Sequence, residues 1–341
     1  MTTNENTSNP APYKDRKTGL AIFGAIQIAM GALCALFVPL MIMGMLAAAV
    51  MDKGADEALS ARAMIPGLLI YVLLAIWFIW MGIGSIQARR WARALCLIAS
   101  WLWLISGITG MLFMLVFMPD MYEQMSKDGQ MPANVLTVVK YVTFGFLTII
   151  YIIIPSAFIL FYGSKNTKAT CEQRDPVVRW TDKCPLPVLA LTLMAGCCAA
   201  SLPFMGLYGW TVPFFGTIVT GVAGAGIALV FLVLLVYITR GLYRLDLKAW
   251  WCAVGLAVLW GASCAITFSQ VTLMEFYEKM NFPAQQLEIM RKMSFTQSHS
   301  LTYACLFWVL LVLAFLLYTR RFFVFRLALH GRKRETDHVF S

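Results

Sequence analysis

The chain has 341 residues, of which 60% are hydrophobic and only 13% are charged, with a mean hydropathy of +0.74. So little polar surface cannot coat a water-soluble globule of this length, and an integral membrane protein is implied. The formal charge of +10 excludes little by itself, because the basic residues lie in short segments between apolar runs rather than in one nucleic-acid-binding domain.

About 20 apolar residues carry a helix across a bilayer. Eight runs reach that length: 18–48, 64–86, 94–118, 137–163, 187–209, 213–239, 249–273 and 300–319. None alternates with the period of two that a barrel strand requires, so an all-α bundle is expected. A polar cytoplasmic tail over 1–17 precedes the first run. That run is too long for a signal-peptide core and lacks a small-residue cleavage site, so it is expected to remain as a signal anchor. Within it Pro39 removes a backbone donor from the helix, amid small residues that permit close packing.

The first four runs form one unit over 18–165, with Tyr122 and Glu123 in the external segment between its last two helices. The linker over 166–186 holds Asp175, Arg179, Trp180 and Asp182, more hydrogen-bonding groups than a plain spacer needs. It is expected to be ordered, to pack under both halves and to offer contacts to a partner. The last four runs make a second unit over 187–321. Pro203 stands in its first helix. In its second, Gly216, Thr220, Gly224 and Ala228 fall four apart and are expected on one face of a helix. The external segment 275–299 carries Tyr277 and Glu278, then Leu287, Met290 and Met293 at the near-helical spacing of an interfacial helix. In the basic tail over 322–341, Arg326, Arg332, Lys333 and Arg334 lie beside Phe322, Phe323, Val324 and Phe325, as suits anionic headgroups.

Placing both termini in the cytoplasm leaves 20 Lys and Arg inside and 7 outside. That is the positive-inside bias, and it accounts for the net charge without nucleic acid. The chain is thus expected in a plasma membrane of the bacterial inner-membrane kind. Of nine cysteines, seven lie in the spans and two, Cys171 and Cys184, in the linker, so no disulfide framework is implied. The C-x12-C linker pair lacks further ligands; no metal and no cofactor is expected.

Three stretches of the first half recur in the second in the same order. Met30, Cys34 and Pro39 match Met194, Cys198 and Pro203 in the first helices. Arg93-Ala94 matches Lys248-Ala249 in the third, with Tyr122-Glu123 against Tyr277-Glu278 at its outer end. Ala157-Phe158 matches Ala314-Phe315 in the fourth. Units of four helices keep the same orientation, so the fold expected is two parallel repeats about an axis along the membrane normal.

No charged residue falls in the middle of a span, which argues against a proton-coupled pump and a voltage sensor. Gln27 and Gln270 are the most polar side chains close to the apolar zone. Walker A, H-E-x-x-H and G-x-S-x-G patterns are missing, so no enzyme activity is expected. The reading is a transporter- or channel-like protein that holds a small neutral or lipidic ligand between the repeats. Pro39, Pro203, Tyr122, Glu123, Tyr277 and Glu278 mark the outer seam. Two alternatives are a scaffold recruiting partners through the linker, and a lipid-acting enzyme using Glu123 and Glu278.

Overall fold

A bilayer offers backbone N–H and C=O groups no partner but each other, so apolar runs must close their hydrogen bonds as helices. The computed structural model describes residues 13–51, 56–127, 133–280, 282, 284–291 and 300–339. Its long helices are α1 (Lys17–Met51), α2 (Asp56–Ile86), α3 (Arg90–Lys127) and α4 (Ala133–Thr148), the last running through a π turn (Ile149–Ile153) into α5 (Ile154–Gly163). The short α6 (Lys165–Arg174) leads through the linker to α7 (Leu186–Ser201), α8 (Gly221–Tyr243) and α9 (Leu247–Gln270). Next come α10 (Leu273–Lys279), α11 (Ala284–Arg291) and α12 (Ser300–Val339). Among the described residues eight segments are long and apolar enough to cross a membrane: Lys17–Ala47, Ile65–Ile86, Arg90–Leu115, Asn134–Gly163, Leu186–Tyr208, Gly221–Tyr243, Leu247–Gln270 and Leu301–Val324. The chain is a polytopic all-α membrane protein.

Between helices in lipid, close backbone approach replaces the hydrophobic drive. In the α1–α2 pair a methyl group on Gly24 would meet the Gly82 carbonyl at 2.7 Å, and one on Gly82 the Gly24 carbonyl at 2.6 Å. One heptad along, Gly31 lies the same way against Ala75 and Ile79. The π turn in the fourth span has a local cause. Pro155 cannot donate to the carbonyl four residues earlier, and one extra residue in the turn relieves the clash. That carbonyl belongs to Tyr151, and it abuts α3 where Gly107 has no side chain to obstruct it.

The α2–α3 and α8–α9 connections are the same turn. Ala88 donates to Ser85 and Arg89 to Gly84; likewise Leu245 donates to Leu242 and Asp246 to Gly241. Ala88 and Leu245 take the left-handed conformation at φ 53 and 56°, closing each helix end with a Schellman-type pair of bonds. In both, the glycine admits an alanine at the start of the next helix, Ala92 against Gly84 and Ala249 against Gly241. The backbone therefore equates Ala92 with Ala249, two residues out of step with the Arg93-Ala94 match.

The sixth span begins later than its composition suggests. Val212–Phe214 and Thr217–Val219 form an antiparallel hairpin, β1 and β2, pairing Phe214 with Thr217. Phe215 and Gly216 at the tip both have positive φ, 39 and 91°, as a two-residue type I′ turn demands. Gly216 thus lies in the turn and Thr220 precedes the helix; only Gly224 and Ala228 of the expected four-residue stripe are on α8. Pro213 and the β-branched Thr217, Ile218 and Val219 outweigh the glycine spacing there.

Two buried clusters sit toward the linker end of the bundle. One gathers Leu20, Met81, Ala92, Leu95, Phe158 and Tyr162 from α1, α2, α3 and α5. The other joins Val188, Leu189, Ile238, Leu242, Trp250, Leu316 and Phe323. Ile98 of α3 belongs to this second cluster, while Leu193 of α7 also packs on the first, so α3 and α7 fill the seam between the halves. Replacing Gly84 or Gly241 by Ala should destabilise the fold by about 1–3 kcal/mol through overpacking. A lowered thermal midpoint in detergent would register this; two unshifted midpoints would refute the shared turn geometry.

Candidate functional site

Small side chains leave room where four helices splay. Ala228 of α8, with Ala253 and Ala257 of α9, faces Met194 and Cys198 of α7, and the gap between them is a cavity of about 380 Å³. That volume lies in the range of small-molecule sites. Phe231 and Trp260, in an edge-to-face pair at 4.8 Å, form one wall, and Val312 and Leu316 of α12 close another. Along α8 the lining runs from Leu242 to Ile227, about 22 Å at the helical rise. The lining residues include no carboxylate, amine or imidazole. The Ser201 hydroxyl is engaged with the Cys198 carbonyl at 2.8 Å.

The hairpin bounds this cavity at the end away from the linker, where Val212 joins Leu202 and Met205 in the lining. Hydroxyls of α9 hold it in place. Phe215 N–H donates to Ser263 Oγ and Gly216 N–H to Thr267 Oγ1, each at 3.0 Å, while Ser263 donates to the Pro213 carbonyl at 3.1 Å. A β-ribbon at this depth needs such partners, because its edge amides would otherwise be unsatisfied.

The first half encloses a polar cluster instead. Ser85 donates to the Leu20 carbonyl at 3.0 Å, so the 2.6 Å contact between Tyr162 and Ser85 has the phenol as donor. Gln27 Nε2 lies 3.1 Å from Cys96 Sγ, and Ser100 donates to the Cys96 carbonyl at 2.7 Å. Gln27 is 4% exposed, and its Oε1 has no partner among the described residues.

Beneath both halves the linker is tied by charge. Asp175, 2% exposed, accepts from Arg179 Nη2 at 2.9 Å, Arg179 Nε at 3.2 Å and the Arg90 backbone N–H at 3.3 Å. Asp182 accepts the Arg179 N–H at 3.0 Å and lies 3.7 Å from the Arg90 guanidinium. Tyr243 at the end of α8 donates to the Trp180 carbonyl at 2.9 Å. At the near end of α1, Asp15 pairs with Arg174 at 3.0 Å and Arg16 N–H donates to Thr170. One node thereby holds α1, α3, α6 and α8 in register. The hydrogen bonds from Arg179 hold the Asp175 carboxyl below the usual carboxylate range, against the upward pull of burial. Burial pushes the Cys171 thiol up to about 11, so it stays protonated and inert.

The sequence-derived candidates fall in five separate places. Asp175, Arg179 and Asp182 meet one another, and Trp180 offers its carbonyl to Tyr243 while its ring is 42% exposed. Pro39 stays within an unbroken α1 and is exposed, whereas Pro203 is in a 3-10 turn beyond α7, beside the hairpin end of the cavity. Glu278 is bound by Arg291 at 2.8 Å, and Tyr277 meets Phe282 edge-on, Phe282 being stacked on Tyr208. Tyr122 and Glu123 lie on the far part of α3, and their side chains are outside the described residues. Sequence reasoning singles out Ala228 only as part of a packing stripe and misses Ala253, Ala257 and Trp260, since alanines and a tryptophan in an apolar run carry no distinguishing signal. Gln27 stands out in sequence as a lone polar residue; its partner Cys96 and the neighbouring Ser85–Tyr162 pair do not.

Because its pKa is depressed, Asp175 adds stability that is complete above the ordinary carboxylate range and lost as pH falls below it. Asp175→Asn should cost about 3 kcal/mol at neutral pH by leaving its arginines unpaired. Its thermal midpoint should then change little between pH 5 and 3, where the wild type declines, with these bounds on the order of the ordinary carboxylate range. Equal midpoints at neutral pH would remove the node from this account. Comparisons with protein-family models, curated proteins and solved structures return no match, so no relative informs the chemistry of the cavity.

Proposed function

We propose that the protein takes up an uncharged, hydrocarbon-rich molecule from the bilayer into the cavity among α7, α8, α9 and α12, as a transporter-like carrier. The observation that carries this reading is the cavity's chemistry at its depth: an apolar lining contributed by membrane-spanning helices, which only a nonpolar occupant can fill without stranding a polar group. The site proposed lies inside the second half rather than between the halves, where Ile98 and Leu193 pack. Ser263 and Thr267 hold the hairpin at the outer end, so the occupant enters laterally from lipid.

The proposal includes two parallel four-helix repeats with both termini cytoplasmic in a plasma membrane. The shared Gly84/Gly241 turn supports the repeats, and the 20-to-7 distribution of basic residues supports the orientation. From that turn, Ser85 corresponds to Leu242 and Cys96 to Ala253, 157 positions on. The Met30/Met194 match, 164 apart, carries Gln27 to Leu191. Leu242, Ala253 and Leu191 all line the cavity, whereas Gln27, Ser85 and Cys96 build the polar cluster. The two halves then place one site at equivalent positions: the first fills it with polar side chains, and the second leaves it open.

A diacylglycerol with a diazirine on an acyl chain should label α8 and α9 residues of the lining upon irradiation. Ala228→Phe and Ala257→Phe, which fill the space, should weaken that labelling about tenfold or more. Labelling spread over lipid-facing residues, and unchanged in both variants, would refute the site. The orientation is separable. In a cysteine-free background, Ser126→Cys should react with an impermeant maleimide on intact cells, while Lys168→Cys and Arg244→Cys should react only after permeabilisation. The reverse pattern would invert the topology.

A further inference from the structure

A guanidinium placed at headgroup depth and given no acceptor by its own fold needs one from elsewhere. Arg93 is such a group. It stands one turn into α3, at the start of a membrane-spanning segment, and is half-buried. Its Nε is fully enclosed without a hydrogen-bond partner, and among the described residues its side chain has no ion pair. The nearest carboxylates are already engaged: Glu172 with Lys168 at 3.7 Å, and Asp182 with Arg90 at 3.7 Å. Two more unsatisfied buried groups lie in the same junction. Arg90 Nε has no acceptor, and the Thr181 hydroxyl, in a residue only 2% exposed, has no partner. Thr181 belongs to the 3-10 turn that Asp182 fastens to Arg90, so all three groups border the contact between α3 and the linker. Four guanidinium groups here (Arg89, Arg90, Arg93 and Arg179) face three carboxylates, Asp175, Asp182 and Glu172, and the last is already shared with Lys168, which leaves an excess of positive charge.

From these observations we infer that the first turn of α3 and the linker form a seat for a phosphate group, with Arg93 as its principal ligand and the headgroup of an anionic phospholipid as its source. Three arguments favour that chemistry. Arginine presents a planar fork that matches phosphate bidentately and holds its charge at any accessible pH. The start of a membrane helix lies where lipid phosphates lie, and a basic pocket on the cytoplasmic side attracts anionic headgroups. Beside it the linker presents Val177, Val178 and Trp180, 57%, 62% and 42% exposed, an apolar surface suited to the zone just below the headgroups. The corresponding position in the second half is Trp250, whose indole N–H is satisfied by the Leu316 carbonyl at 3.0 Å, so only the first half has this seat.

The test uses the purified full chain in neutral detergent, with thermal midpoints read alone, with phosphatidylglycerol, with phosphatidylcholine and with inorganic phosphate. Phosphatidylglycerol at about a hundred times its dissociation constant should raise the wild-type midpoint by about 5 °C, and phosphatidylcholine should not. Inorganic phosphate acting as strongly would keep the seat but identify free phosphate as its ligand. Arg93→Met should match or exceed the wild-type midpoint without anion, because it removes an unpaired, half-buried charge, and it should not respond to phosphatidylglycerol. Arg93→Lys keeps the charge without the fork and should show a smaller shift than the wild type, which serves if the methionine variant fails to fold. A wild type indifferent to both anions, or a full response in either variant, would overturn the proposal; the latter would assign the effect to other basic residues such as the C-terminal tail.

Discussion

Hydrocarbon supplies no hydrogen-bond partner, and nearly every feature of this chain follows from that constraint. It makes the apolar runs helical and makes glycine contacts such as Gly24 on Gly82 the means of helix pairing. It explains why the carbonyl that Pro155 frees is absorbed by a π turn rather than left loose. It also explains the hairpin before α8, whose amides are satisfied by Ser263 and Thr267 because nothing else at that depth could do so.

The same constraint separates the interiors of the two halves. Around Gln27, Ser85, Cys96 and Tyr162, polar groups turn toward one another and close the space. Around Ala228, Ala253 and Ala257, apolar groups too small to meet leave a cavity. A polar interior whose groups bond one another is fixed in geometry, whereas an apolar gap can exchange its contents with lipid at little electrostatic cost. On the function proposed above, that difference is a division of labour between support and uptake. The linker belongs to the supporting side: its charges bind α1, α3, α6 and α8 to one another, and Asp175 is wholly occupied in doing so.

The number and positions of the spans are legible in the sequence because hydropathy over about 20 residues reports directly on the solvent the helix meets. The hairpin is not, because Gly216, Thr220, Gly224 and Ala228 satisfy a helical stripe as well as they satisfy a turn, and only contacts with Ser263 and Thr267, far along the chain, decide between them. Asp175, Arg179 and Asp182 stand out in sequence as groups that need partners, yet their partner Arg90 comes from another element. Pro39 and Pro203 attract attention as paired helix breakers, but one is accommodated in an intact helix and the other ends one. The cavity is the least legible feature, since a space is defined by residues that are small, and alanine in an apolar run says nothing about what it faces.

The central claim, that an apolar occupant resides in one half and not the other, is tested most directly by an experimental density map of the protein in lipid nanodiscs. The account predicts elongated density along α8 between Leu242 and Ile227, bounded by Trp260 and Val312, and side chains alone at the equivalent place around Gln27 and Cys96. A cavity closed by inward movement of α12, or matching density in both halves, would contradict it.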